Sequence, residues 1–228
     1  MTSIATATYL EEIDNLIAKT SLLKHPFYQA WSRGELSLDS LRDYACQYYQ
    51  HVKAFPTYLS AVHAQTDEVP TRRHILENLM DEEAGSPNHL DLWLQFGQGL
   101  GVSNAEMEST QPWPETANLI KSFRSICSDR GTAAGLAALY AYESQIPAVA
   151  ESKIAGLKQF YSIDNPAALA YFEVHKEADI VHSRVERDLL AKHIYEDNRQ
   201  VVLASASETL NALWGMLDGV CRRHGIEC

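Results

Sequence analysis

Apolar residues along this chain recur at intervals of three and four rather than two, which is the spacing of helix faces. The pattern predicts helices almost throughout and no convincing alternating strand. With the punctuating residues added, the helices run over 6–24, 26–33, 38–65, 71–85, 88–100, 103–109, 113–128, 131–161 with a break, 166–195 and 198–224. Ser103-Asn104-Ala105-Glu106 reads as a capping box. Asn165-Pro166 reads as an N-cap with proline in the first turn. Gly85-Ser86-Pro87-Asn88 ends one helix and caps the next. Pro56 and Pro147 should kink the helices that contain them. No Gly/Ser-rich linker, low-complexity tract or internal repeat divides the chain. The expected architecture is a single all-α domain over 1–228, a bundle of about seven or eight main helices.

The 228 residues suffice for a substantial core. The charge of 19 basic against 30 acidic residues, −11, excludes a general binder of nucleic-acid backbones, which needs a basic face. Cys46, Cys127, Cys221 and Cys228 form no CxxC pair, so a reduced, cytoplasmic protein is expected. Met1 to Leu10 lacks the cationic-then-apolar order of a signal peptide. From Gly131 to Ala150 the sole charge is Glu143. That stretch is nearly long enough to span a bilayer, but its Ala and Gly content and its Thr132, Ser144, Gln145 and Pro147 favour a central buried helix. In 198–224, Val201, Leu203, Leu210, Leu213, Trp214 and Leu217 read as core, with a dimer face as the alternative.

Candidate chemistry gathers in His175-x₃-Asp179-x₂-His182, Glu82-x₆-His89 and Glu143. At about 100° per residue, positions 175, 179 and 182 share a narrow arc of one helix. Three imidazoles and three carboxylates suit two transition-metal ions held between helices better than one structural zinc. Two divalent ions bring four positive charges and the carboxylates cancel three, which leaves room for a bridging hydroxide. Glu143 has Leu136, Leu139, Tyr140, Ile146 and Pro147 as neighbours on its face; ionised there, it needs a partner. A solvated polar face is the competing reading of 175–182, where Glu173, Lys176 and Glu177 also crowd, and Tyr171 and Glu186 share the face. Imidazole ligands must be neutral, so metal release is expected below roughly pH 5 to 6.

His25, His51, His63, His74, His193 and His224 read as surface or satisfied core residues, with His25 an alternative haem ligand. Cys46 reads as a buried thiol, with a nucleophile as the alternative. The chain has 11 tyrosines. Tyr28, Tyr44, Tyr48, Tyr49, Tyr58, Tyr140, Tyr142 and Tyr171 all lie on helices that could line one cavity. On pattern alone Tyr28 is a core aromatic beside Phe27 and Trp31, and Lys153 a solvated helix lysine.

His25-Pro26-Phe27-Tyr28, Lys53-Ala54-Phe55-Pro56, Asn78-Leu79-Met80-Asp81-Glu82-Glu83, Pro87-Asn88-His89, Tyr142-Glu143-Ser144-Gln145-Ile146-Pro147 and the 175–182 motif together resemble the chlamydial protein associating with death domains and its bacterial relatives. The resemblance covers nearly the whole chain. It implies the haem-oxygenase-like dimetal oxidases, whose fold is shared with TenA-type thiaminases and the oxidase PqqC. It further implies an oxygenase making p-aminobenzoate for folate synthesis, with the aromatic ring taken from a tyrosine of the protein itself. Carried over, Tyr28 is that tyrosine and Lys153 the amino donor; Tyr142 and Tyr171, on helices near the expected metals, are candidate redox relays. The implied ligands are Glu82, His89, Glu143, His175, Asp179 and His182. The implied metals are iron, manganese or both, with dioxygen and an external reductant. Small-molecule partners and a homodimer are expected, with neither nucleic acid nor membrane. The loop Glu83-Ala84-Gly85-Ser86-Pro87 departs from relatives without touching a ligand. Two rivals stand beside this: a metal-free thiaminase or cofactorless oxidase on the same fold, and a helical interaction module.

Overall fold

A computed structural model describes residues 4–228. Met1 to Ser3, the start of the stretch expected to carry no signal peptide, lie outside the described residues. The elements in order are α1 (Ile4–Lys19), a short 3₁₀ turn (Leu22–Lys24), α2 (Pro26–Arg33), α3 (Leu38–Gln65), α4 (Val69–Glu83), α5 (His89–Gly99), α6 (Asn104–Ser109), α7 (Pro114–Asp129), α8 (Thr132–Glu143), α9 (Ile146–Phe160), α10 (Pro166–His193) and α11 (Arg199–His224). Among the described residues there is no strand, and eight helices have twelve residues or more. α3 and α10 are the long central elements. α3 packs on α4, α5 and α7, and α10 on α5, α8 and α9, while α11 closes the bundle against α7 and α8.

Local chemistry sets the boundaries that matter for the site. Asn88 caps α5: its side chain accepts from Asp91 N at 2.8 Å, and Asp91 accepts in return from Asn88 N at 3.2 Å. That reciprocal cap fixes His89 as the first residue of α5. The box expected at Ser103 is half formed, since Ser103 accepts from Glu106 N and no return bond is present. Asn165 caps α10 with Pro166 in the first turn, as expected. The break in 131–161 falls at Ser144–Gln145, so Pro147 does not kink a helix from within. It occupies the first turn of α9, where its missing N–H costs no hydrogen bond. α3 continues through Pro56 to Gln65.

All of α8 from Ala133 to Glu143 is buried, as expected for a central helix. Gly135 allows it to approach α3, since a Cβ there would stand 2.5 Å from Val62 Cγ2. No helix among the described residues is long and apolar enough to cross a membrane. On α11, Leu210, Leu213 and Leu217 enter the core, Leu203 and Trp214 are half-buried, and Val201 is exposed. One cysteine expectation fails: Cys221 and Cys228 are paired in a disulfide, because the turn after α11 brings their Cα atoms to 6.4 Å. Cys46 and Cys127 are free and buried.

Candidate metal centre

Four helices deliver the six predicted donors. The last turn of α4 carries Glu82, the first residue of α5 is His89, the last of α8 is Glu143, and α10 supplies His175, Asp179 and His182. They meet as two triads, Glu82–His89–His175 and Glu143–Asp179–His182, each with donor atoms within 4.8 Å of one another. The solvated-face reading of 175–182 is therefore wrong for His175 and Asp179, which are 4% and 2% exposed. Within the triads, Glu82 lies 3.0 Å from His89 Nδ1 and 3.9 Å from His175 Nε2. His182 Nδ1 lies 3.5 Å from Asp179 and 3.8 Å from Glu143. Donors bound at about 2.1 Å to one ion are separated by roughly 3–3.5 Å; the 3.0 and 3.5 Å gaps fall in that range, and the 3.8 and 3.9 Å gaps need only a few tenths of an ångström of closure to share a cation. The alignment points the same way: His89 Nδ1, His182 Nδ1 and Asp179 Oδ2 are buried and, close as their neighbours stand, none makes an aligned hydrogen bond.

Further groups orient these donors. His175 Nδ1 is 2.7 Å from the Tyr171 carbonyl, which aims Nε2 at Glu82. His182 Nε2 is 3.1 Å from the Asp81 carboxylate, leaving Nδ1 for its triad. Asn78 Nδ2 donates to both Glu143 oxygens at 3.1 and 3.3 Å. A closed space of about 10 Å³ lies between the triads, lined by Glu82, Glu143, His175 and Asp179 with Val52, Phe55, Tyr142 and Tyr171.

The two triads differ electrostatically. Burial pushes the Glu82 carboxyl up, but His175 and His89 more than reverse this and hold it at about 2. Burial and then the Asp179 charge drive Glu143 upward. Burial lowers His182, but Asp179, Glu143 and Asp81 overcome it and raise the imidazole to about 9. The first triad has one carboxylate for two imidazoles, and the second has two carboxylates for one. Carboxylates crowded in this way call for added positive charge, which bound metal supplies.

Beyond the second triad's neighbour Tyr142 lies an aromatic box. Tyr142 and Tyr48 share a hydroxyl–hydroxyl bond of 2.6 Å. The Tyr48 ring is 5.4 Å from that of Tyr44, whose hydroxyl is 3.2 Å from Tyr28 Oη. Lys153 Nζ donates to Tyr44 Oη at 2.6 Å and lies 4.9–5.4 Å from the ring centres of Tyr44, Phe172, Tyr48 and Tyr28. Lys153 is 4% exposed, so it is not a solvated helix lysine; burial lowers its amine to about 7. Gly156 brings α9 against Trp31, whose indole donates to the Lys153 carbonyl at 3.3 Å. Tyr171 stacks on His175 with ring centres 4.0 Å apart.

The pattern of the iron-containing redox enzyme family matches residues 42–214. The chain belongs to that family. It is 45% identical over 210 residues to the 4-aminobenzoate synthase of Chlamydia muridarum, covering 92% of this chain and 89% of that one. It is 42% identical over 227 residues to the enzyme of the same name from Nitrosomonas europaea, covering 95% and 92%. A solved CADD-like protein from Nostoc punctiforme superposes with a TM-score of 0.80 at 18% identity, over 99% of this chain and all of that one, which shows the common fold.

In this member of the family, pattern alone missed the groups that hold the donors. Asn78 stands one helical turn before Glu82, a spacing that could have marked it. Asp81 sits in the acidic run Asp81-Glu82-Glu83, which by itself marks no more than a helix end. Tyr44 was one of many tyrosines, with nothing in the sequence to mark it as the partner of Lys153. His25 is not a haem ligand, since Nδ1 accepts from Phe27 N and Nε2 lies 3.1 Å from Asp218. Cys46 has its thiol pushed up by burial, which suits an inert residue rather than a nucleophile.

Proposed function

We propose that this chain makes 4-aminobenzoate by oxidising its own Tyr28, with nitrogen from Lys153. The observation that carries the reading is Lys153 itself. A buried amine with no carboxylate partner is costly, and this one lies among aromatic rings beside the Tyr28 side chain. Lowered to about 7, a large share of it is unprotonated at neutral pH and has a lone pair to give.

Glu82, His89 and His175 would hold one metal ion and Glu143, Asp179 and His182 the other, with iron, manganese or both as the ions. Bound there, they supply redox chemistry toward dioxygen that no side chain offers; an external reductant completes the requirement. The chain does the rest. Tyr142 and Tyr171 line the space between the triads and serve as redox relays. Tyr142 shares a hydroxyl bond with Tyr48, whose ring lies 5.4 Å from that of Tyr44, and the Tyr44 hydroxyl is 3.2 Å from that of Tyr28, a chain along which an electron and a proton can move. Burial drives all these phenols well above their ordinary range, so each holds its proton until it is oxidised. The same burial excludes water from the amine. A metal-free thiaminase or cofactorless oxidase would leave six convergent donors, five of them buried, without a role.

The test is a reaction with metal, dioxygen and reductant but no added aromatic substrate. Protein grown with ring-labelled tyrosine should release labelled 4-aminobenzoate, at no more than one per chain, and Lys153→Arg should release none. Unlabelled product from free tyrosine, or many turnovers with Tyr28 intact, would make it an ordinary enzyme instead.

A further inference from the structure

The Glu186 side chain is 4% exposed, and neither of its oxygens has a hydrogen-bond partner. It lies on α10 one turn beyond His182. It is not among the donors that lie within 4.8 Å of one another in the second triad, so nothing assigned so far accounts for a carboxylate held there. Its place explains more than its partners do. Glu186 lines a cavity of about 130 Å³ between α4, α8 and α10, with apolar walls that include Ile75, Leu136, Leu139 and Val185. His182 lines the same cavity.

This cleft reaches solvent. Asp81, Glu77 and His74 at its mouth have side chains 63%, 73% and 43% exposed, and Val181 is 61% exposed. By contrast, every residue around the closed space between the triads is buried. Among the candidate ligands, His182 is the most exposed, with 10% of its side chain accessible. An ion entering through the cleft would pass the mouth acids and then cross apolar wall before meeting the triad. A divalent cation gives up its water reluctantly and needs oxygen donors at each stage. Inside the mouth, Glu186 is the acid on the cleft wall that stands outside the triad.

We propose that the α4–α10 cleft is the loading route of the second metal position, with Glu77 and Asp81 collecting a hydrated divalent cation and Glu186 receiving it before Glu143, Asp179 and His182 take it up. The Asp81–His182 contact of 3.1 Å ties a mouth acid to a ligand, so the collecting and receiving groups are adjoining. The exposed mouth acids Glu77 and Asp81 draw a cation from solvent. Glu186 offers the next carboxylate oxygen on the way in, so it governs how fast the ion reaches the triad and not how many ions are finally held.

The inference rests on the two-metal reading and separates from it in one experiment. Metal-free protein is mixed with cobalt(II) alone, and the ligand-field absorbance is followed in time. The second-position phase is identified as the one lost in Glu143→Ala. In Glu186→Gln, which keeps shape and replaces a carboxylate donor with an amide, both ions should still bind, with the second-position phase slowed by about tenfold or more. Val181→Trp, which narrows the mouth from an exposed position, should slow the same phase and spare the other. Unchanged kinetics in Glu186→Gln overturn the loading role. Loss of one ion at equilibrium in that variant makes Glu186 a permanent ligand and also overturns it. A wild-type chain that holds fewer than two cobalt ions rejects the two-metal reading itself.

Discussion

The Lys153 amine donates to the Tyr44 hydroxyl at 2.6 Å, and burial alone sets its proton affinity, lowering it to about 7. An amine in that state weakens the fold that holds it. In the unfolded chain the amine titrates near its ordinary 10.5, so the folded state binds protons less readily. The destabilisation is complete below about pH 7 and fades as pH rises toward 10.5.

Lys153→Met should therefore stabilise the protein while ending product formation. The expected gain in urea unfolding is roughly 2–4 kcal/mol at pH 7, shrinking as the pH approaches 10. A destabilised Lys153→Met chain at pH 7 would show that the amine is paired in a way the geometry does not contain.

Tyr44→Phe removes the hydroxyl that both Lys153 and Tyr28 contact. The cost in stability should be modest, about 1–2 kcal/mol, because two buried partners lose a bond. Product yield should fall well below that of the wild type, while metal content stays the same. Normal yield would remove Tyr44 from the path.

The sequence placed metal release below roughly pH 5 to 6, the ordinary imidazole range. The structure moves it. In the metal-free chain His182 holds its proton up to about 9, so an incoming ion must displace that proton at neutral pH. Affinity at the second position should keep rising to about pH 9, by up to tenfold for each unit. Chelator competition between pH 6 and 10 measures it. The metal-free fold should show the opposite trend. The raised His182 contributes stability that is fully present below its ordinary 6.5 and lost as pH rises through about 9.

Glu143→Gln separates metal loss from fold loss. The carboxylate is 2% exposed and pushed upward by burial and Asp179. Replacing it with an amide should leave the metal-free chain as stable or slightly more so, since it relieves crowded negative charge. Metal content should drop from two ions toward one. Two firmly held ions in this variant would exclude Glu143 as a ligand.

Much of this site was legible because its donors lie on helices with clear periodicity. His175, Asp179 and His182 fall on one arc whatever surrounds them, and Glu143 stood out as a lone charge in an apolar run. Helix ends were legible where a side chain closes them, as Asn88 and Asn165 do. Lys153 was not legible in the same way. It follows Glu151 and Ser152 in a stretch that reads as solvated, and only the packing of α9 against α2 and α10 turns it inward. Asp81 and Glu186 escaped for the same reason: their roles depend on the distance between α4 and α10, which no single-helix pattern encodes. The Cys221–Cys228 pair depends likewise on the turn at Gly225, whose φ is 65°.

α10 carries three of the six donors and also Tyr171 and Phe172, which face the triads and the lysine box. These parts share one rigid shaft. A small rotation of that shaft would carry His175 away from one ion, Asp179 and His182 away from the other, and Phe172 away from the amine, all in the same stroke. The two metal positions and the amine thus share one support, and the remaining donors on α4, α5 and α8 meet whatever α10 presents to them.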